Sequence, residues 1–323
     1  MSFILNFSFT SGVIPENMKI AKIVPIYKAG NVHDINNYRP ISLLPSFSKL
    51  MEKILCKKLV NFFDNSSIFY KHQYGFRKGH STIHPIIHLI KSITESNDKK
   101  TKDKTLGIFL DLSKAFDSVS HTILLKKLEF YGVRGVILEW FKNYLTTRQH
   151  FTEINGIKSS LKATKCGVPQ GSILGPLLYL IYVNDIENAT SLNILSFADD
   201  TTLFKSASNI PELVRDVNIQ LQNLSTWFNA NKLCLNVSKS NFMLFFPQNH
   251  FENRLYNNLN ISINNIQLNQ ISSWTNKNTI KFLGLQLDQH LTWNPHICAL
   301  SNKVSNQLFM LNKVKKSIAT GNS

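Results

Sequence analysis

The stretch NILSFADDTTLF, residues 193 to 204, constrains this chain more than any other. Its flanks have the apolar composition of a buried strand, yet Asp199 and Asp200 stand side by side inside it. Burying two like charges is costly unless something neutralises them. Two explanations are open. Aspartate is a common turn residue, so the pair can mark a hairpin turn. Alternatively, the pair faces a cation. Successive side chains of a strand point to opposite faces, so both carboxylates reach one site only where the backbone turns. Asp111 closes a second apolar run, GIFLDL. Two acidic strand ends in one chain point to hard cations with oxygen ligands, usually Mg²⁺. Two such ions, about 3.5–4 Å apart, stabilise the attacking and the leaving oxygen of a phosphoryl transfer. Turn chemistry and helix capping are the plainer account of the same residues.

The charge balance bears on the choice. Lysine and arginine number 36 against 20 aspartates and glutamates, a net charge of +16 over 323 residues. An excess of that size calls for a polyanionic partner, most often nucleic acid. An anionic membrane surface is the alternative, but no basic amphipathic anchor stands out. The longest apolar run, ILGPLLYLIYV (173 to 183), is too short to span a bilayer and is broken by glycine and proline. The N-terminus lacks the positive region of a secretory signal. Cys56, Cys166, Cys234 and Cys298 are scattered, which indicates neither a zinc knuckle nor a disulfide framework and suits a reducing compartment. The expectation is a soluble intracellular protein of roughly two domains.

Hydrophobic periodicity and turn residues give a coarse map. KIAKIVPIYK reads as a strand among the prolines of residues 13 to 48. Residues 46 to 64 read as a basic amphipathic helix, with Ile54, Leu55, Leu59, Phe62 and Phe63 on its apolar face and Ser46 or Ser48 as its cap. Further helices are expected from 81 to about 96, from Asp117 to Leu128 with Asp117 as the cap, after the turn GVPQGSILGP to near Asn184, and from 211 to 230. TLGIFLDL, 193 to 204, FMLFFP and KFLGLQLD read as strands, the second of these as a hairpin. Asn294 and Pro295 look like an N-cap and first helical residue. The helix that follows carries Ile297, Leu300, Val304, Leu308 and Leu311 at helical spacing. There are no repeats, no βαβ nucleotide fingerprint and no phosphate-binding G-x-x-x-x-G-K-[ST] loop, so the fold class expected is α+β.

Taken together, the boxes resemble those of one family. FADD with the following TTLF resembles the aspartate box of reverse transcriptases, and FLDLSKAFDSVSH the matching first-aspartate motif. GVPQGSILGPLLYLIYVNDI is similar to the Pro-Gln-Gly motif between them. YRPISLLPSFSKLMEKIL and HQYGFRKGHST resemble the fingers motifs of LINE-type, jockey-like non-LTR retrotransposons. WFNANKLCLNVSKSNFMLF and IKFLGLQLDQHLTWNPHI resemble the two motifs that close the palm. All occur in the family's order from about residue 12 to 297.

The resemblance implies a right-hand polymerase fold: fingers over 1–105, palm with an interleaved fingers segment over 106–290, and the start of a thumb, truncated, over 291–323. It implies an RNA-directed DNA polymerase that uses an RNA template, a DNA primer, deoxynucleoside triphosphates and two Mg²⁺ ions. By motif position, Asp111 and Asp199 are the main metal ligands, Asp200 completes the triad, and the carbonyl of Leu112 adds to it. Phe116 is the bulky ring under the incoming sugar, leaving no room for a 2′-hydroxyl; otherwise it is a core residue. Gln170 and Gly171 lie in the loop that touches the nascent base pair and incoming nucleotide; otherwise this is a helix-entry turn. Arg77 is a candidate triphosphate clamp, with Lys28 and Arg39 as further candidates or solvated charges. Lys239 corresponds to the lysine placed near the leaving pyrophosphate as a general acid. Lys303, Lys313, Lys315 and Lys316 are placed to touch the RNA–DNA hybrid. His80, His84 and His88 are four apart, but Pro85 interrupts them and no carboxylate joins them, so a helix face near nucleic acid is preferred to a metal site.

Phe197 stands where tyrosine is more frequent in this box. Elements of this type also carry an upstream endonuclease and more thumb, so the chain is expected to be part of a longer reading frame. Two other readings remain: a catalytically silent relic that at most binds nucleic acid, and a group II intron maturase. The family places such chains in the cytoplasm and nucleus and away from membranes.

Overall fold

The computed structural model describes residues 2–248, 256–273, 275 and 277–320, with side chains of the last helix up to residue 315. Among the described residues, helices and sheets alternate without a parallel doubly wound core, as α+β predicts. The chain forms two compact units from interleaved stretches: Met1–Ser81, Asp111–Thr201 and Gln220–Asn236 make the first, and Thr82–Leu110, Thr202–Ile219 and Val237–Ser323 the second.

The first unit is organised around the helix Leu174–Val183. Its sequence, LGPLLYLIYV, is apolar on every side, and all of it except Pro176 is buried. A helix with no polar face has to be surrounded. It packs against helices Ser46–Asn65 and His121–Phe130. The helix Val136–Leu145 adds Trp140 and Tyr144, stacked at 5.3 Å, and the Trp140 indole donates to Ser8 on the helix Ser2–Ser11 (3.0 Å). The sheet of this unit runs in the order Tyr38–Leu43, Ile20–Tyr27, Gln149–Ile154, Ile157–Lys158. Its first pair is antiparallel with Val24 opposite Ile41, and its second is parallel with Ala21 opposite His150.

In the second unit, strands Lys104–Leu110 and Asn241–Phe245 pair antiparallel, with Gly107 opposite Met243. The later residues of the strand Asp200–Ala207 lie beside Lys104–Leu110, where the Thr105 and Ser206 hydroxyls are 2.8 Å apart. The stretch expected as the single strand KFLGLQLD is a hairpin, Ile280–Phe282 with Leu285–Leu287, because Leu283 and Gly284 both take positive φ. The final helix is Asn294–Thr320, so Asn294 is its first residue rather than its cap. Ile297, Leu300, Val304, Leu308 and Leu311 all stand exposed on it. Among the described residues, no helix is long and apolar enough to cross a membrane.

Two caps differ from expectation. The helix Ser46–Asn65 starts directly after Pro45, with no side-chain cap bond at that position. The helix expected from Asp117 starts at His121, and its N-cap, Ser120, makes no side-chain cap bond. Residues 114–118 instead form tight turns, with Asp117 N–H donating to Lys114 O (2.9 Å), and Asp117 is put to a different use, described below.

Candidate active site

The paired aspartates do sit at a turn. The strand Asn193–Phe197 ends at Ala198, whose φ of +60° lies in the left-handed region. This reverses the chain so that Asp199 and Asp200 both reach solvent. The approach is set by main chain on the other side: Tyr74 N–H donates to Ser196 O (2.8 Å) and Ser196 N–H to His72 O (3.0 Å). That pairing brings Gly75 against the turn so closely that a Cβ there would lie 2.0 Å from Ala198 N. Only glycine fits.

Asp111 lies where the strand Lys104–Leu110 stops. Its carbonyl accepts from Asn236 N–H (2.8 Å), and the next two residues, Leu112 and Ser113, pair antiparallel with Leu235 and Cys234. Asp111 is thus held by main-chain bonds on its C-terminal side. The electrostatics join it to the turn. Asp200 is exposed by surface area, so a cation can reach it, yet protein crowds its carboxyl. Loss of water, first, and then the charges of Asp199 and Asp111 raise its pKa above the ordinary aspartate range, while Lys28 opposes. Burial and the same two turn aspartates push the Tyr179 phenol far up, so it stays neutral. Among the described residues no three His, Cys, Asp or Glu side chains are drawn together as a finished metal shell. What the first unit presents is a concentration of negative charge on oxygen donors, the chemistry that hard cations neutralise.

Phe116 is half-buried. Its ring stacks on Tyr179 at 4.7 Å and meets Phe76 edge-on at 6.1 Å. The loop containing Gln170 is laced to this segment by main chain: Val168 N–H donates to Phe116 O (2.9 Å) and Gly167 N–H to Val119 O (2.8 Å). His121 Nε2 meets Gly167 O at 2.7 Å. On the other side Ser42 N–H donates to Gln170 O (2.7 Å). Gly171 has φ +104°, and a Cβ on it would lie 2.9 Å from Ser42 O. Asp117, expected as a helix cap, accepts from Gln170 Nε2 at 2.9 Å.

With this geometry in view, comparison with known proteins is decisive. The sequence profile of the family described as "Reverse transcriptase (RNA-dependent DNA polymerase)" matches residues 26–287. The chain belongs to the reverse transcriptase family. It is 31% identical over 304 residues to the probable RNA-directed DNA polymerase from transposon BS of Drosophila melanogaster, covering 90% of this chain and 32% of that protein. It is 30% identical over 313 residues to the RNA-directed DNA polymerase from mobile element jockey of the same species, covering 92% and 32%. The chain therefore spans about a third of the length of these relatives, which are polymerases of non-LTR retrotransposons. Apo telomerase from Candida tropicalis shares the polymerase fold, with a TM-score of 0.55 at 13% identity over 90% of this chain and 51% of that one.

The remaining residues of this reverse transcriptase domain fall into four groups. Lys28 sits exposed just past the end of the strand Ile20–Tyr27 and Arg39 exposed on its partner Tyr38–Leu43, and Lys28 bears on Asp200 as described. Arg77 is turned inward: Nη1 donates to Tyr70 O (3.2 Å) and Gln73 O (3.4 Å), Nη2 is 3.6 Å from Asp64, and the guanidinium lies over the Phe69 ring at 5.1 Å. Lys239 belongs to the second unit, exposed at the end of the single-turn helix Val237–Lys239. Lys303, Lys313 and Lys315 are exposed on the last helix, and the side chain of Lys316 lies outside the described residues.

The sequence reading missed Glu52 altogether. It lies on the buried face of Ser46–Asn65 and is 0% exposed. It accepts from Tyr144 OH (2.9 Å), Ile173 N–H (2.7 Å) and Leu174 N–H (3.4 Å). The last two are orphan donors at the start of the helix Leu174–Val183, so Glu52 caps from another helix the element that follows Gln170 and Gly171. Burial raises its pKa against those hydrogen bonds and the nearby charge of Arg148.

Proposed function

We propose that this chain is the catalytic part of an RNA-directed DNA polymerase, a nucleotidyltransferase that adds deoxynucleotides to a primer 3′-hydroxyl on an RNA template. The observation that carries the proposal is the turn at Ala198, which exposes Asp199 and Asp200 within the electrostatic reach of Asp111. An all-oxygen set of mutually repelling carboxylates suits Mg²⁺. Asp111, Asp199 and Asp200, with the carbonyl of Leu112, would hold two such ions. When bound, the ions supply charge that lowers the pKa of the primer hydroxyl and neutralises the triphosphate.

The other roles belong to side chains of the protein. Phe116, backed by Tyr179, presents a ring where a 2′-hydroxyl would stand and so favours deoxynucleotides. Gln170 and Gly171 face the incoming nucleotide. Lys28, Arg39 and Arg77 supply positive charge for the triphosphate. Lys239, by motif position, gives a proton to the leaving pyrophosphate. The primer hydroxyl attacks the α-phosphate in line, one P–O bond forms, and the bond to pyrophosphate breaks. The +16 net charge grips the hybrid through phosphates and 2′-hydroxyls, largely without reading sequence. Fingers over 1–105, palm over 106–290 and thumb from 291 onward are part of the same proposal, as is work in the cytoplasm and nucleus.

The test is primer extension with purified protein on poly(A)·oligo(dT), with dTTP and Mg²⁺, beside Asp199→Ala. Extension by the parent and none by the variant is the expected result. No extension by a folded parent that binds the hybrid would leave a silent nucleic-acid-binding fragment in its place.

A further inference from the structure

The helix Ser46–Asn65 carries its charges in an order that works against its own stability. Lys49, Lys53 and Lys57 recur every four residues, and Lys58 opens a neighbouring row. Like charges four apart on a helix repel, and Lys49 closes the first turn, where the helix dipole disfavours a cation. Neither acid of the helix relieves them: Glu52 is on the buried face, and Asp64 lies 3.6 Å from Arg77. The second row ends on a ring. Phe62, four residues after Lys58, is 39% exposed and lies over Gly132, where a Cβ would meet it at 3.3 Å. Gly132 belongs to the turn that closes the helix His121–Phe130. On that helix the exposed Lys126 is followed four residues later by Phe130, 81% exposed. Two helices thus bring the same pair, a lysine and one turn on a phenylalanine, to one corner of the first unit. Phe63 and Tyr131, edge-on at 5.8 Å, join the two helix ends there. Arg134 adds a cation to this corner and Glu129 an anion, both exposed.

We propose that the outer face of Ser46–Asn65, with Phe62 and Phe130 at its end, is a binding surface for single-stranded RNA, separate from the site that holds the hybrid. Rows of lysine hold phosphates, and exposed rings stack on unpaired bases. A duplex hides its base faces. A bilayer would need a free apolar face on the helix, and that of Ser46–Asn65, with Met51, Leu55, Leu59 and Phe63, is buried. The face turned toward the active site is this buried one: it packs against Leu174–Val183, which carries Tyr179 under Phe116. The lysines lie on the other side. The choice of RNA rests on the reading of the chain as a polymerase that copies RNA, since template not yet copied is the unpaired strand in every complex.

The experiment saturates the purified protein with an unlabelled, blunt oligo(A)·oligo(dT) hybrid, so that the active site is occupied. A labelled oligo(C) RNA, which pairs with neither strand, is then titrated by fluorescence anisotropy over a salt series. The variant Lys53→Gln/Lys57→Gln/Lys58→Gln should bind oligo(C) on the order of tenfold more weakly, with a log–log salt slope smaller by about 2, the share of three single-strand phosphates. Phe62→Ala/Phe130→Ala should bind it about fivefold or more weakly, with the salt slope and the binding of double-stranded RNA unchanged. Both should keep the parental KM and kcat in primer extension on a hybrid with a short template overhang. The lysine variant should melt no lower than the parent, because it relieves repulsion along the helix. Lys91→Gln/Lys100→Gln/Lys102→Gln removes the same charge elsewhere and should leave oligo(C) binding as it was. Equal weakening by that control overturns the proposal, as does a loss of hybrid binding in step with oligo(C). It is also overturned if the hybrid-loaded parent binds no oligo(C), or if the lysine variant binds it like the parent and loses only binding to phosphatidylserine vesicles. If the parent extends no primer but its oligo(C) binding depends on these lysines and rings, the polymerase reading fails and the single-strand surface stands.

Discussion

Replacing Glu52 should destabilise the domain more than any surface acid would. The carboxylate is fully buried and accepts from Tyr144 OH at 2.9 Å and Ile173 N–H at 2.7 Å, with a longer bond from Leu174 N–H at 3.4 Å. In Glu52→Ala two good donors lose their acceptor in a dry environment, each worth about 1–3 kcal/mol, and a cavity opens where the side chain stood. The sum is about 3–5 kcal/mol, a large part of the roughly 5–15 kcal/mol that holds a typical domain together. Glu52→Gln keeps one acceptor oxygen but turns an amino group toward one of the two donors, so about 1–2 kcal/mol is lost. Equilibrium unfolding in urea, followed by far-ultraviolet circular dichroism, measures both. The pH dependence gives a sharper check. Burial raises the folded-state pKa of Glu52 above its unfolded value, so the folded state binds the proton more tightly. Its contribution to stability is then largest below the unfolded pKa. It declines as pH rises from there to the raised folded pKa, and is level above it. Glutamine does not titrate. The stability difference between parent and Glu52→Gln should therefore shrink as pH rises through that window. A difference that grows with pH would show that the three donors outweigh desolvation and would refute the reasoning.

Two further outcomes follow from the site. Gly75→Ala forces a Cβ to within 2.0 Å of Ala198 N, so the turn carrying Asp199 and Asp200 must move; overpacking of this kind costs about 1–3 kcal/mol, and primer extension should be lost at temperatures where the variant is still folded, with undiminished extension counting against the turn's role. Phe116→Val removes the ring stacked on Tyr179 and should raise ribonucleotide use relative to deoxynucleotide use on the order of tenfold or more; an unchanged ratio in competition assays would return Phe116 to the core.

The chemistry was more legible in the sequence than the architecture that supports it. Asp111, Asp199 and Asp200 stand out because a charge in an apolar run has few explanations, and the order of the boxes around them led to the family that the profile match then established. The supporting groups do not stand out, because what defines them lies far away in the chain. Glu52 sits between Met51 and Lys53 and reads as one more solvated charge; its burial follows from Ile173, 121 positions on. Asp117 reads as a cap because a carboxylate before a helical pattern usually is one, and its true partner is 53 positions away. Tyr179 is invisible within a wholly apolar helix. The inward set of the Arg77 guanidinium, against the carbonyls of Tyr70 and Gln73, is likewise not legible in the residue type from which it was read as a phosphate ligand.

Main chain and side chains divide the labour in this site. Close approaches between backbone segments fix where things are: Gly75 against Ala198 places the aspartate turn, and Gly171 against Ser42 places the Gln170 loop. Side chains fix which way things face: Asp117 turns the amide of Gln170, and Tyr179 backs the ring of Phe116. The two kinds of support fail differently. A displaced turn or loop shifts the reacting groups for every nucleotide, so it lowers incorporation of all of them together. A loosened orienting group leaves the placement intact and removes one contact, so it changes the ratio between nucleotides that can and cannot make that contact. The ratio of deoxy- to ribonucleotide incorporation therefore separates a residue that orients the Phe116 ring from the scaffold, where activity alone would show only that each of them matters.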